Sequence, residues 1–185
     1  MRAFLVAAMV TLCSPAWAQA SDPAVSTVAN FDDALMASMH ANGAPLQTAI
    51  GADFNVDVMA AFVVGPAWSG FSQSDQSSVT AALRRYLIAR FADEFDSYTG
   101  EQFNVAANVE ERGPDKLVHT QVVHQTGAPD HLDYRLRNYG GAWRIIDVYY
   151  NGVSQLTTQR ADLASTPQTA AAIAARIDHA TQALK

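Results

Sequence analysis

The stretch from Leu132 to Arg160, LDYRLRNYGGAWRIIDVYYNGVSQLTTQR, leaves the chain few ways to fold. Leu132, Tyr134 and Leu136 alternate with Asp133, Arg135 and Arg137, the period of a strand with one buried and one wet face. Gly140-Gly141 then reverses the chain, because glycine reaches the positive φ angles that two-residue hairpin turns need. The return strand, Trp143 to Tyr150, is apolar on nearly both faces: Ile145 and Ile146 adjoin, and Val148, Tyr149 and Tyr150 are consecutive. Such a strand is covered on both sides or lines a cavity. After Asn151-Gly152 the period lengthens, and Val153, Leu156, Arg160 and Leu163 fit one side of a helix.

Upstream, helical periods dominate. Asp22-Pro23 reads as a cap followed by a first-turn proline, and Val28, Phe31, Leu35 and Met39 form the stripe of an amphipathic helix ending before Asn42-Gly43. Ala44 to Gly51 reads as a connector. Asn55 can cap a second helix through Val64, apolar nearly all round and stopped by Gly65-Pro66. Trp68 and Phe71 follow as bulky residues in a turn. From Ser72 or Ser74 to Tyr98 the longest helix carries Val79, Leu83, Tyr86, Leu87, Phe91 and Phe95 in one stripe, with Arg84, Arg85, Asp93, Glu94 and Asp96 toward water.

Phe103, Val105 and Val109 mark a first strand, Glu111 to Asp115 a charged turn, Leu117 to Gln125 a second strand and Thr126 to Asp130 a second turn. With the hairpin at Gly140-Gly141 these make an antiparallel meander. An alanine-rich helix with Ile173, Ile177 and Leu184 on one side ends the chain. The fold class is α+β: a curved antiparallel sheet of about four strands, helices packed on one face.

The first residues read as an export signal. Arg2 gives a positive start, Ala3 to Leu12 an apolar core and Ala16-Trp17-Ala18 a small-residue cleavage site, so residues 1–18 are expected to be removed and 19–185 to form a single domain. The apolar core falls short of the roughly 20 residues that span a bilayer. Cys13, the only cysteine, follows Leu12 where lipidation would need a small residue, so the mature chain is expected to carry neither thiol nor lipid. A net charge of −6 argues against nucleic acid and anionic surfaces as partners.

The polar residues offer little chemistry. His119 and His124 lie five apart on a strand and point to opposite faces, so with His131, Asp130 and Asp133 they read as surface groups near a turn rather than a metal site. Ser154 lacks the Gly-x-Ser-x-Gly elbow of a hydrolase nucleophile and suits a helix cap. No glycine-rich phosphate loop is present, and no cofactor is expected. Asp147, between Ile146 and Val148, needs a partner: Arg135, Arg137 or Arg144 on the same hairpin, or backbone donors at the Asn151-Gly152 turn. Arg135 and Arg160 are also candidates for a pocket mouth.

The run Gly141-Ala142-Trp143-Arg144-Ile145-Ile146-Asp147-Val148, then Asn151-Gly152-Val153-Ser154 and Thr158-Gln159-Arg160, resembles the signature of the MlaC family of periplasmic phospholipid-binding, toluene-tolerance or ABC-transporter auxiliary proteins. Phe54 to Trp68 and Tyr86 to Phe103 resemble it too. The Gly-Pro-Ala-Trp and Phe-Asp-Ser-Tyr-Thr-Gly-Glu forms are similar to a branch associated with hopanoid biosynthesis. The resemblance implies a non-enzymatic carrier in the periplasm that takes up the tails of a phospholipid, or alternatively a hopanoid, and shuttles it between an inner-membrane ABC transporter complex and an outer-membrane lipoprotein complex. It implies further that helix and sheet enclose an apolar cavity, lined by Tyr86, Leu87 and Phe91 on the long helix and by Tyr134, Leu136, Ile146, Val148 and Tyr150 on the hairpin, with Val63 and Trp68 closing one end. A small hydrolase or isomerase with an apolar substrate, and an adaptor whose pocket is filled by its own side chains, are the rival readings.

Overall fold

A computed structural model describes residues 21–38, 44–96, 98 and 100–184. The expected signal, its Ala16-Trp17-Ala18 site, Cys13, and the helix positions Met39, Asn42 and Gly43 lie outside the described residues. In chain order the helices are α1 (Pro23–Ser38), α2 (Ala44–Asp53), α3 (Val56–Val64), α4 (Gln73–Phe95), α5 (Gln155–Asp162) and α6 (Ala170–Gln182). The strands are β1 (Gln102–Arg112), β2 (Asp115–Val123), β3 (Asp130–Tyr139), β4 (Ala142–Tyr150) and the short β5 (Val153–Ser154), antiparallel in the order β1-β2-β3-β4-β5.

The hairpin sets this sheet. Gly140 and Gly141 take φ of 64° and 98°, and Tyr139 faces Ala142 across the two-residue turn. Leu132, Tyr134 and Leu136 enter the core while Asp133, Arg135 and Arg137 stay partly exposed. On β4 the alternation is broken once. Arg135 faces Asp147 and Leu136 faces Ile145, so Ile146 is an extra residue without an opposite number. The bulge brings Ile145, not Ile146, onto the core side with Val148. Both isoleucines are buried, but only Ile145 belongs to the core cluster.

Local capping explains the helix starts. Asn55 Oδ1 accepts from Val58 N–H at 3.2 Å, Ser72 Oγ from Asp75 N–H at 3.2 Å, and Ser154 Oγ from Thr157 N–H at 3.1 Å. Three expectations need correction. Ala44 to Gly51 is not a connector but most of α2, which buries Leu46, Ala49 and Ile50 at helical spacing against α1. Val153 does not begin the following helix: it pairs with Tyr150 in β5 and is 57% exposed, and Gln159 takes the buried place beside Leu156. The long helix also stops at Phe95, short of Tyr98.

The helices cover one face of the sheet. Phe54 makes a parallel bridge to Ile145, and Asn55 N–H donates to the Ile145 carbonyl at 2.9 Å, so the α2–α3 junction is stitched to β4. Backbone segments of α1, α2, α3 and α5 approach β4, whereas α4 lies mainly against α6, α3 and α2. Between α4 and the sheet the distance is bridged by side chains, and an apolar cavity forms there.

Candidate functional site: an apolar seam with a polar mouth

At this seam a half-open cavity of about 60 Å³ lies between α4, the inner face of β3–β4 and the start of α5. Leu83, Leu87, Phe91 and Phe95 of α4, Leu132 and Val148 of the sheet, Met59 of α3 and Leu156 of α5 give it an apolar lining. The polar groups on the lining are Tyr86, Arg90 and Glu94 of α4, Tyr150 of β4, and Gln155 and Gln159 of α5. All but Gln159 are partly exposed, so they rim the mouth. Tyr86, Arg90 and Glu94 are spaced four apart and therefore share one edge of α4.

Phe91 ends the cavity on the inner side. Its ring meets Phe31 at 5.0 Å and Phe54 at 6.0 Å, both edge to face, and Phe31 meets Phe54 at 4.9 Å and Tyr134 at 5.8 Å. Beneath these rings the Tyr134 hydroxyl donates to Asp32 Oδ1 at 2.7 Å, while Asp32 Oδ2 is buried with no hydrogen-bond partner. Burial, only partly offset by the Tyr134 bond, raises the Asp32 pKa to about 7.

Of the residues named from sequence, Tyr86, Leu87, Phe91, Val148 and Tyr150 line the cavity. Tyr134 and Leu136 lie fully buried in the core on the same sheet face, without reaching the cavity lining, and Ile146 stands at the bulge outside the core cluster. Val63 and Trp68 border two separate surface grooves, of about 460 and 420 Å³, on either side of α3. Met59, Arg90, Glu94, Leu132, Gln155 and Gln159 were not singled out. Continuing the Tyr86 spacing by four reaches Arg90 and Glu94; the sequence reading places Glu94 on the wet face by its charge and gives Arg90 no role.

Asp147 takes its donors from backbone and a hydroxyl rather than from an arginine. Its Oδ1 accepts from Val148 N–H at 2.8 Å and Leu156 N–H at 3.3 Å, and its Oδ2 from the Ser154 hydroxyl at 2.7 Å. Burial still leaves its pKa raised, with these three bonds pulling the other way. The carboxylate thus ties β4 to the first turn of α5. Arg135 and Arg137 both bind Asp115 instead, a fully buried carboxylate whose pKa burial would raise but which the two arginines hold below its usual range. Arg160 is not at the cavity: it lies over the Phe62 ring at 5.3 Å and against Gly65, where a Cβ would come within 2.8 Å of its guanidinium. His119 sits beside Glu110 and Asp133, and His124 beside Asp130 and Glu101; no group of residues able to hold a metal ion is found among the described residues.

The site is an apolar seam, rimmed by polar groups, in an antiparallel sheet covered by helices on one face. The family model for MlaC protein matches residues 18–184, and the chain belongs to the MlaC family, non-enzymatic lipid carriers of the periplasm. That membership sets aside the hydrolase and isomerase readings. The phospholipid-binding protein of Ralstonia solanacearum, solved in complex with a phospholipid, is similar with a TM-score of 0.73 at 16% identity, over 87% of this chain and 98% of that one. At such identity the likeness establishes the shared fold. No curated protein matches the sequence. Among the described residues no helix is long and apolar enough to cross a membrane.

Proposed function

We propose that this protein is an exported periplasmic carrier that encloses the acyl tails of a phospholipid between α4, β4 and α5, and passes the lipid between an inner-membrane ABC transporter complex and an outer-membrane lipoprotein complex. The signal sequence at residues 1–18 directs export, and 19–185 is the carrier domain. The observation that carries the reading is the apolar seam with its rim of polar groups. Each methylene taken from water gains about 0.8 kcal/mol, so a carrier for a two-tailed lipid must offer a long apolar lining.

The seam is narrow in this conformation. About 60 Å³ compares with roughly 300–1,000 Å³ for pockets that hold whole ligands, so tails enter only as α4 parts from the sheet. The placement of α4 permits this, because its backbone neighbours are mainly other helices. A space that widens on entry suits flexible acyl chains better than the rigid rings of a hopanoid, which favours the phospholipid. Lipid extracted from protein purified out of its native host and identified by mass spectrometry tests the reading: a two-chain phospholipid is expected. Protein that carries none and takes none from vesicles would overturn it.

A further inference from the structure

The rim of the cavity is charged in a pattern that a lipid tail does not use. Arg90 is the only cationic side chain on the lining, and its guanidinium is 2.9 Å from Glu94 and 3.6 Å from Asp93 on its own helix. Across the mouth, the Tyr150 hydroxyl is hydrogen-bonded to Asp130, which also accepts from Asn151 Nδ2 at 2.9 Å and contacts His124 Nε2 at 3.0 Å. Glu101 lies 3.8 Å from the other nitrogen of that ring. On the α5 side Asp162 acts on Tyr86. Two carboxylates thus contact the guanidinium directly, and further ones act on the tyrosines of the same rim.

Two tyrosines report the resulting field. Burial pushes the hydroxyls of Tyr98 and Tyr150 up to about 12, followed at Tyr98 by Tyr150 and then Asp130, Glu94 and Glu101, and at Tyr150 by the Asp130 bond and charge and then Glu94, with Arg90 opposing. On the cavity wall Gln159 is buried and adds uncharged donor and acceptor capacity to the same end.

We infer that this mouth selects its lipid by headgroup, accepting a zwitterionic phospholipid whose phosphate meets Arg90 and whose ammonium lies among Glu94, Asp130 and their neighbours, and disfavouring phospholipids of net negative charge. The inference rests on the carrier reading above. A phosphodiester at the mouth needs a cation, and a guanidinium supplies a forked donor for it. Placing that phosphate frees Glu94 from Arg90, and a headgroup ammonium a few bonds away takes the vacated place. A glycerol headgroup brings no such cation, so its complex leaves an uncompensated anion beside Glu94, Asp93 and Asp130, in a partly desolvated site where like charges repel more strongly than in water.

Delipidated protein, incubated with vesicles of equal parts phosphatidylethanolamine and phosphatidylglycerol with matched acyl chains, is re-isolated and its bound lipid quantified by mass spectrometry. Both lipids sit in the same vesicles, so surface charge affects the rate of encounter and not the ratio bound. Several-fold enrichment of phosphatidylethanolamine is expected. Glu94→Gln should weaken the preference and Glu94→Lys reduce it further or reverse it, with melting temperature confirming that each variant is folded. Arg90→Gln should lower the uptake of both lipids while keeping the preference. A wild-type ratio equal to that of the vesicle, or a ratio that Glu94→Lys leaves in place, would overturn the headgroup inference and leave the carrier standing. Uptake of neither lipid would remove both.

Discussion

The interior divides at Phe91 into two regions built from the same kinds of side chain and filled in opposite ways. On one side Phe31, Phe54, Tyr134 and Phe91 close over one another edge to face. On the other, Leu87, Val148, Tyr86 and Tyr150 face each other around a cavity. The cause lies in what the other helices supply. α1 brings Phe31 into the first region and the α2–α3 junction brings Phe54, so a third and a fourth ring fill the space between α4 and the sheet. At the mouth the side chains from α4, β4 and the start of α5 leave the space between them open. Aromatic content therefore does not separate core from site; the number of elements converging on it does.

The largest effect expected of a single change falls on the filled region. Phe31→Ala removes the ring common to three of the aromatic contacts and should cost about 3–5 kcal/mol in denaturant unfolding. Lipid uptake by the fraction that remains folded should stay near that of the parent. A loss of uptake equal to the loss of stability would mean that the two regions are one.

Asp32 gives the filled region a pH dependence of its own. Its folded pKa, about 7, lies above the ordinary 3.8, so between these values the folded state holds a proton that the unfolded state has released. Its contribution is fully present below about pH 4 and is lost as pH rises toward 7, by up to about 1.4 kcal/mol per pH unit. Asp32→Asn should flatten this part of the stability curve, measured by urea unfolding at a series of pH values. An unchanged slope would show that the buried oxygen finds a donor on the folded protein.

Most of the architecture was written in short-range patterns. The alternation of Leu132, Tyr134 and Leu136, the Gly140-Gly141 turn and the Asn55, Ser72 and Ser154 caps are local signals, and each forms where expected. α2 was missed because Leu46, Ala49 and Ile50 are few and flanked by small residues, and the α1 surface they cover decides their conformation. Ile146 shows why a cavity face is harder to read than a strand. A bulge transfers every residue on one side of it to the opposite face, and nothing in Arg144-Ile145-Ile146-Asp147 marks which isoleucine is the extra one. Arg90 and Glu94 were hidden for another reason: a charged group at the edge of an apolar stripe has the same pattern whether it borders water or a pocket.

A smaller loss is expected at the link between β4 and α5, which borders the mouth. Asp147→Asn keeps the shape but weakens the bonds to Val148, Leu156 and Ser154, and should reduce stability by about 1–2 kcal/mol. Lipid affinity of the folded variant should stay within a few-fold. If affinity falls far more than stability, the start of α5 is part of the gate and Asp147 holds it in place.

The smallest cost in stability, and the sharpest division between the regions, should come from Val148→Trp. Val148 is 5% exposed, as a core residue would be, yet its side chain lines the cavity opposite Leu87 and Phe91. In a filled interior the added indole would force strain of about 1–3 kcal/mol. At the seam, empty volume and a helix whose backbone rests on other helices can take up the ring, so the melting temperature should hold to within a few degrees. The ring then occupies the space that opens for tails, and co-purifying lipid should fall severalfold. The two measurements are read together because each excludes a different alternative. Lost lipid with an unchanged melting temperature assigns Val148 to the open region, whereas a fall in stability with lipid occupancy unchanged in the folded fraction would extend the filled region past Phe91 to Val148 on β4.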